Sequence, residues 1–232
     1  MGCSLLNNRM FPSIRPSALK LLPALAIGCA WFACIPVMGA EEHTCPEGWI
    51  PLFTGRGLEN WSQVGSAKWR VEEGVIVGGQ DGDPKRSGLL STKEQFKDFE
   101  LKLEFMIDEH GKYNSGVYLR NPPGAPGRAG YQVNIGRGAA EEYCAGLFTD
   151  RWLDKGDETD TIRRKLDWNQ LHITARGGHI KVVLNGVEVV DFTDPNPPEK
   201  FLQKGVIAFQ TYGAEGHAGW VKFRNICIRE LQ

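Results

Sequence analysis

The chain has 232 residues, with 27 basic and 28 acidic side chains and a formal net charge of −1. This balance does not favour binding to nucleic acid or to an anionic membrane surface, because both require a basic excess. Apart from its first forty residues, the chain has the length of one domain of sandwich or barrel size.

The first forty residues have the layout of a secretory signal. Three basic residues precede an apolar stretch over residues 21–38, and Gly39 and Ala40 supply small side chains for cleavage near Ala40. An uncleaved membrane anchor is the alternative, because the stretch approaches the ~18 apolar residues that span a bilayer. A lipoprotein is a third option. We therefore predict an exported protein of the periplasm, cell envelope or extracellular space, with its folded domain at residues 41–232.

Most of this domain alternates apolar and polar residues with a period of two, as β-strands do. The clearest case is residues 99–107, where large apolar residues occupy every second position. Hairpin tips are predicted at Glu73-Gly74 and Asn185-Gly186, and a bulge at Arg224-Asn225. A first strand is predicted at residues 49–53. Roughly a dozen such segments, without a long helical pattern, predict an all-β fold of two packed antiparallel sheets.

Two central strand patterns carry unusual polar side chains. Strict alternation places Tyr118 and Arg120 on one face of the first strand, and Gln132 and Asn134 on one face of the second. Paired amides form a row of donors and acceptors that suits a polyhydroxylated ligand. A merely solvated face is the simpler interpretation. The Pro- and Gly-rich residues 122–130 between the strands predict an ordered excursion near the site or a mobile flap.

Residues 141–166 lack strand periodicity and mix acidic with basic side chains. This stretch is either a solvated insertion or a functional loop. Its carboxylates offer oxygen ligands for a divalent metal such as calcium, but their spacing matches no EF-hand loop. The sequence therefore indicates no definite cofactor. The carboxylates in question are Asp150, Asp154, Asp157, Glu158 and Asp160.

Three of the six cysteines lie in the predicted signal, which leaves Cys45, Cys144 and Cys227. Their spacing is not that of a zinc site. Cys227 lies in a strand pattern, where we expect it to be buried as a small apolar residue. A disulfide between Cys45 and Cys144 is the candidate in an oxidising compartment.

Six sequence blocks between residues 48 and 231 resemble, in order, the 3-keto-disaccharide hydrolase family. The resemblance implies a concanavalin A-like lectin/glucanase jelly-roll sandwich, which agrees with the strand patterns. The blocks are WIPLFTGRGLENW, DFELKLEF, NSGVYLR, GYQVNIG, WNQLHI with the following GGHIKVVLNGVEVVDF, and GVIAFQTYG with the closing WVKFRNICIREL.

The resemblance also implies cleavage of glycosides whose glucose ring is oxidised at C3. The ketone acidifies the C2 proton, so a base can form an enolate, and the C1 substituent then leaves by elimination. Hydration of the glycal releases the 3-keto sugar. Such a site needs a base, a donor or metal ion at the C3 oxygen and an acid, rather than the carboxylate pair of ordinary glycosidases. The implied partners are a glycoside or oligosaccharide ligand and a sugar 3-dehydrogenase acting upstream.

Family members commonly carry an acidic residue in the strand of Gln132 and Asn134, and a histidine just after the position of Gln210. This chain has amides and Tyr212 there. Because an amide cannot act as a general base, we predict the catalytic groups elsewhere. These are Asp150, Glu142 and His217 as candidate bases. Arg120 or Arg151 is the candidate holder of the enolate oxygen, and the alternative is that either arginine pairs with a neighbouring carboxylate. The predicted substrate-binding residues are Asn114, Tyr118, Tyr131, Gln132, Asn134, Arg151, Trp152, Gln210 and Tyr212.

Two other functions use the same sandwich. One is a non-catalytic, lectin-like carbohydrate-binding domain of the cell envelope, in which the amides and tryptophans serve binding alone. The other is an interaction domain of the envelope. Fold alone does not choose among them.

Overall fold

A computed structural model describes residues 45–108, 113–127, 129–136, 142–213 and 217–232. The chain divides into two units, Met1–Met38 and Gly39–Gln232, and all described residues belong to the second. The predicted signal at residues 1–40 lies outside the described residues. Within those residues, the structure contains no helix that is long and apolar enough to cross a membrane.

The first of two antiparallel sheets has eight strands. Strand β15 lies near its middle and pairs with β6, β4 and the short β1. Their order across the sheet is β13, β12, β11, β6, β15, β4 and β3, with β1 beside β15. The strands are β1 (Ile50–Pro51), β3 (Lys68–Glu72), β4 (Val75–Gly79), β6 (Phe99–Ile107), β11 (Asn169–Arg176), β12 (His179–Leu184), β13 (Val187–Thr193) and β15 (Trp220–Glu230).

The second sheet has seven strands and contains both polar strands singled out from the sequence. Their order is β10, β9, β8, β7, β14, β5 and β2. The strands are β2 (Trp61–Gly65), β5 (Ser87–Thr92), β7 (Tyr113–Asn121), β8 (Tyr131–Gly136), β9 (Leu147–Phe148), β10 (Trp152–Asp154) and β14 (Val206–Gly213). A single 3₁₀ turn, Glu199–Phe201, is the one helical element that the described residues contain.

The inner faces of the two sheets enclose one main core. Strand β6 buries every second residue, as its alternation predicts, and these side chains meet Val117 and Val133 of the second sheet in one cluster. Phe209 of β14 stacks on Phe223 of β15 across the core, with ring centroids 4.2 Å apart. Burial of this apolar surface is the main force that holds the sheets together. The predicted all-β sandwich is confirmed.

Turn chemistry fixes the register of the long hairpins. Glu73 and Gly74 have φ of 49° and 79°, and Asn185 and Gly186 have φ of 50° and 84°, the left-handed values that tight hairpin turns require. The register of β15 against β6 shifts between Arg224 and Cys227, where Asn225 also has positive φ. Both hairpins and the bulge lie where the sequence predicts them.

The disulfide differs from the prediction. Cys45 is bonded to Cys227, with 5.7 Å between their Cα atoms, and Cys144 is a buried free thiol. The cause is the pairing of β1 with β15, which sets Pro51 opposite Cys227 and draws the preceding segment onto the last strand. That pairing leaves only Ile50–Pro51 as strand within the predicted residues 49–53.

Candidate functional site

The outer face of the second sheet carries the polar side chains of three adjacent strands. In the register of β8, β7 and β14, Gln132 lies opposite Tyr118, and Tyr118 lies opposite Ala208. Residues opposite each other in antiparallel strands project from the same face. Tyr118 accordingly packs with Leu89 and Ala208 in a small cluster separate from the main core.

A chain of hydrogen bonds runs across this face. The amide nitrogen of Gln132 donates to Oε1 of Gln210 over 2.9 Å, and the amide nitrogen of Gln210 donates to the Tyr118 hydroxyl over 3.3 Å. Gly116 lies beneath the Gln132 amide, and a Cβ at Gly116 would overlap Nε2 of Gln132. The glycine therefore lets the glutamine lie flat on the sheet.

Asn134 ties the following segment to the sheet. Its amide nitrogen donates to the carbonyl oxygens of Gly136 and Tyr143, over 3.2 and 3.0 Å, and its Oδ1 accepts from the Asn114 amide over 3.1 Å. Backbone bonds from Asn134 to Ala145 and Gly146 continue the attachment. Asn134 thereby positions residues 142–146 against β8.

This attachment places a carboxylate at the cluster. Oε1 of Glu142 accepts a hydrogen bond of 2.7 Å from the Tyr212 hydroxyl. Tyr212 lies opposite Asn114 in the register of β14 and β7. Glu142 is thus the predicted base whose side chain is bonded to this face. We call the following set the central cluster: Asn114, Tyr118, Gln132, Asn134, Glu142, Gln210 and Tyr212.

A cavity of about 390 Å³ adjoins the central cluster and includes Gln210 and Tyr212 in its wall. Its volume suits a small ligand. Lys85 and Pro126 contribute from two different loops, and Gly127 of the second loop lies against the Tyr118 ring. Residues 122–127 are therefore an excursion packed at the site. Lys85 was not predicted, because its loop precedes β5, and only the fold brings that strand next to β14.

Three aromatic rings lie at the other end of the same face. Phe148 is opposite Gln132 and Trp152 is opposite Phe148, so both project from the outer face. The Trp152 ring is 5.0 Å from the Tyr143 ring and 5.0 Å from the Phe148 ring, at interplanar angles of 76° and 62°. All three side chains are half-buried. We call Tyr143, Phe148 and Trp152 the aromatic corner.

Comparisons with known proteins show the family to which the chain belongs. Residues 48–229 match the family described as the 3-keto-alpha-glucoside-1,2-lyase-like domain. The chain belongs to the 3-keto-disaccharide hydrolase family. A 3-keto-disaccharide hydrolase of Bacteroides thetaiotaomicron is 35% identical to it, over 80% of this chain and 79% of that protein.

Solved structures support the fold of this family member. One is a candidate glycosyl hydrolase from Parabacteroides distasonis, 20% identical, with a TM-score of 0.62 over 83% of this chain and 100% of the other. Another is the carbohydrate-binding module CBM66 from Bacillus subtilis, 18% identical, with a TM-score of 0.57 over 74% and 96% of the two chains. These likenesses establish the concanavalin A-like sandwich.

Asp150, Arg151 and His217 are not drawn into the central cluster of this family member. Asp150 and Arg151 lie at the tip between β9 and β10, with side chains 84% and 76% exposed and a separation of 3.9 Å between their charged atoms. The Thr149 hydroxyl lowers the pKa of the Asp150 carboxyl, which makes it a weaker base. The backbone of His217 lies against Gly213 at the end of β14, and its side chain is exposed.

The prediction that Arg120 holds the enolate oxygen is not supported. Strict alternation would place it beside Tyr118, but Arg120 has a φ of 55° and the register against β14 shifts there. The bulge turns its side chain to the end of the sandwich, where it is fully buried. The guanidinium donates to the carboxylate of Asp98 over 3.0 Å and to three carbonyl oxygens. Those carbonyls belong to Lys97, Gly177 and Phe201.

Tyr131 is also placed away from the predicted ligand surface. Its side chain projects from the inner face of β8, where the ring packs on Phe201 with centroids 5.0 Å apart. Its hydroxyl donates to Asp194 over 2.8 Å. The neighbour of an outward residue on a strand points inward, so Tyr131 and Gln132 cannot share a ligand face.

The loop carboxylates that the sequence offers as oxygen ligands are bonded to other groups of the protein. Asp157 accepts hydrogen bonds from the backbone nitrogens of three consecutive residues, 161–163, and Asp160 pairs with the Arg163 guanidinium through both oxygens. Glu158 pairs with Lys155, and Asp154 accepts from the Gly156 nitrogen. Among the described residues, no three His, Cys, Asp or Glu side chains form a group suited to a metal. These carboxylates hold the loop in shape instead.

A cavity of about 550 Å³ lies on the outer face of the first sheet, beside Lys102, Glu104 and His172. Two of its charged groups have partners in neighbouring side chains. Glu104 pairs with Arg224 over 2.6 Å, and Lys102 lies over the Trp49 ring at 4.5 Å. We therefore place the candidate site on the second sheet, where the cluster connects a carboxylate to a cavity.

Proposed function

We propose that this protein is an exported enzyme that cleaves 3-keto-glycosides by elimination at C1 followed by hydration. Membership of the 3-keto-disaccharide hydrolase family supports the substrate class. The placement of Glu142 is the observation that carries the mechanism, because it supplies the base that the amides of β8 cannot.

The first step can be assigned to an atom of the central cluster. A carboxylate oxygen of Glu142 removes the C2 proton, and the electron pair of the C2–H bond forms an enolate with its charge on the C3 oxygen. The C3 carbonyl then re-forms, the electron pair of the C2–C3 double bond moves between C1 and C2, and the C1–O bond breaks. The leaving group takes the electron pair of that bond and a proton from water. Water adds at C1 and a proton returns to C2, so the net reaction is hydrolysis of the glycosidic bond.

The remaining groups of the face suit a sugar that carries hydroxyls and a ketone. Gln132, Gln210 and Tyr118 present amide and phenol groups in fixed positions, because each is bonded to the next. Preorganised donors stabilise developing negative charge better than water does, since they need no reorientation during the reaction. The enolate oxygen requires a positive or donating partner. Lys85, which contributes to the cavity wall, is the candidate for that partner.

Two features support export. The Cys45–Cys227 disulfide is of a kind that persists in oxidising compartments. The first forty residues have the composition of a secretory signal. Fractionation of a host that expresses the full chain, followed by sequencing of the protein's first residue, tests both export and cleavage near Ala40. Recovery of uncleaved protein in the cytoplasm would contradict the proposal.

The proposed substrate requires a supplier. A glucose ring becomes a 3-keto ring only by oxidation of the C3 hydroxyl, so a sugar 3-dehydrogenase must act before this protein. The matching test is sequential incubation with an unoxidised glycoside, with and without such a dehydrogenase. Cleavage without the oxidation step would argue against elimination.

The deciding experiment is release of a chromogenic leaving group from a 3-keto-glucoside. Glu142→Gln should lower kcat by at least about a hundredfold, the range expected for loss of a general base. Asp150→Asn is the matched control, since it also converts a carboxylate to an amide, and it should retain activity. Deuterium uptake at C2 from heavy water, measured by NMR, should be lost in Glu142→Gln as well.

A different result would favour the second function. Binding of a 3-keto-glycoside without release of its leaving group, in the wild-type protein and in Glu142→Gln alike, would identify a lectin-like domain. Loss of activity in Asp150→Asn with full activity in Glu142→Gln would overturn the assignment of the base.

A further inference from the structure

We propose that the aromatic corner binds the leaving group, and that the natural substrate is a 3-keto-glucoside with a planar aromatic aglycone. The inference rests on the proposed function and adds the part of the substrate that lies beyond the sugar ring. It concerns Tyr143, Phe148 and Trp152, of which only Trp152 is among the residues predicted from the sequence.

The position of the corner fits a leaving-group site. Gln132, Phe148 and Trp152 follow one another across β8, β9 and β10 on one face. With adjacent strands about 4.8 Å apart, the row extends about 10 Å from the amide to the indole, which is the span of two linked rings. Tyr143 directly follows Glu142 in the sequence, so the aromatic corner adjoins the proposed base.

The shape of the corner favours a flat aromatic ring. The three rings contact one another edge to face, at interplanar angles of 76° and 62°, and each remains partly exposed. Lys155 lies 5.1 Å from the Tyr143 centroid. A planar ring laid on their exposed surface gains edge-to-face contact with one ring and stacking with another, the two arrangements that aromatic pairs prefer.

The chemistry of elimination points in the same direction. The C1 substituent leaves with the electron pair of its bond, and a phenolate carries that charge better than an alkoxide, because its charge is delocalised into the ring. An aromatic leaving group therefore reduces the need for a strong acid beside C1.

The experiment compares three 3-keto-glucosides that differ only in the group at C1: phenyl, methyl and a second glucose. The wild-type protein should cleave the phenyl compound with the highest kcat/KM. Trp152→Leu and Phe148→Leu should each lower kcat/KM for the phenyl compound by roughly tenfold, the value of one lost aromatic contact. Their losses for the methyl compound should be much smaller than for the phenyl compound, and thermal unfolding shows whether the variants are folded.

A matched control is Trp168→Leu, which removes an indole that packs under Arg224 on the first sheet. It should affect none of the three compounds. A second measurement, inhibition by free phenol, should weaken in Trp152→Leu and not in Trp168→Leu.

The outcomes separate the inference from the function on which it rests. Equal losses for phenyl and methyl compounds would overturn the aromatic corner as a leaving-group site. A loss confined to the disaccharide would overturn the aromatic aglycone. If the wild-type protein cleaves none of the three compounds, the proposed function itself fails.

Discussion

The hydroxyl of Tyr212 donates a hydrogen bond of 2.7 Å to the carboxylate of Glu142. The bond joins β14, near the middle of the second sheet, to a segment that Asn134 holds against β8. Two elements far apart in the sequence therefore fix one carboxylate at the outer face of the second sheet. This relationship makes Tyr212 a positioning residue for the proposed base.

We expect Tyr212→Phe to lower kcat by roughly tenfold to a hundredfold with little change in KM, because the carboxylate loses its orientation and not its chemistry. Steady-state kinetics on the chromogenic 3-keto-glucoside measure both constants. Tyr131→Phe is the matched control for the loss of a phenol, since its hydroxyl bonds to Asp194 away from the face. A rise in KM with unchanged kcat would instead make Tyr212 a substrate-binding residue.

Lys85 is expected to stabilise the enolate oxygen. Lys85 contributes to the wall of the cavity that Gln210 and Tyr212 also line, and the mechanism requires a positive or donating group at C3. Lys85→Met should lower kcat/KM by roughly a hundredfold, while Lys68→Met on the first sheet should have no effect. Equal activity in the two variants would exclude Lys85 and leave the enolate to the neutral donors.

Alternation and turn chemistry predict much of this fold. Strand β6 and the Asn185-Gly186 turn follow from local patterns, since side-chain direction and positive φ depend on a few neighbouring residues. The same rule places Gln132 and Asn134 on one face of their strand, as the structure has them. The faces of the polar side chains in the central cluster were therefore predictable for each strand taken separately.

The rest depends on contacts between distant residues. A bulge turns the Arg120 side chain away from the face that Tyr118 occupies. The sequence of β7 has no glycine or proline at that point from which the bulge could be predicted. Lys85 reaches the cavity because β5 pairs with β14, more than a hundred residues later in the chain. The Cys45–Cys227 bond spans 182 residues. Long-range pairings of this kind are set by the packed fold and not by local propensity.

Arg120 is expected to matter for stability. Its guanidinium is fully buried and bonded to Asp98 and three carbonyl groups. Arg120→Met should lower the free energy of unfolding by about 3 kcal/mol, because it leaves those acceptors without a donor. Arg70→Met, at an exposed pair, should cost less than about 1 kcal/mol. Urea denaturation measures both, and a stable but inactive Arg120→Met would restore its predicted catalytic role.

The thiols of this protein are expected to differ sharply in reactivity. Complete burial raises the pKa of the Cys144 thiol to about 11 and shields it from reagents. Since the thiolate is the reactive form, a thiol reagent at pH 8 should not label the native, processed protein. Unfolding without reductant should expose one thiol for each chain, and unfolding with reductant should expose three.

The same assay tests the pairing of the disulfide. Cys45→Ser should free Cys227 and lower the free energy of unfolding by about 2–4 kcal/mol, because the bond closes a loop of nearly the whole domain. Cys144→Ser should leave the disulfide intact, and peptide mapping of that variant should recover Cys45 linked to Cys227. A wild-type peptide that links Cys45 to Cys144 would contradict the pairing of β1 with β15. That pairing brings Cys45, which lies just before β1, to Cys227.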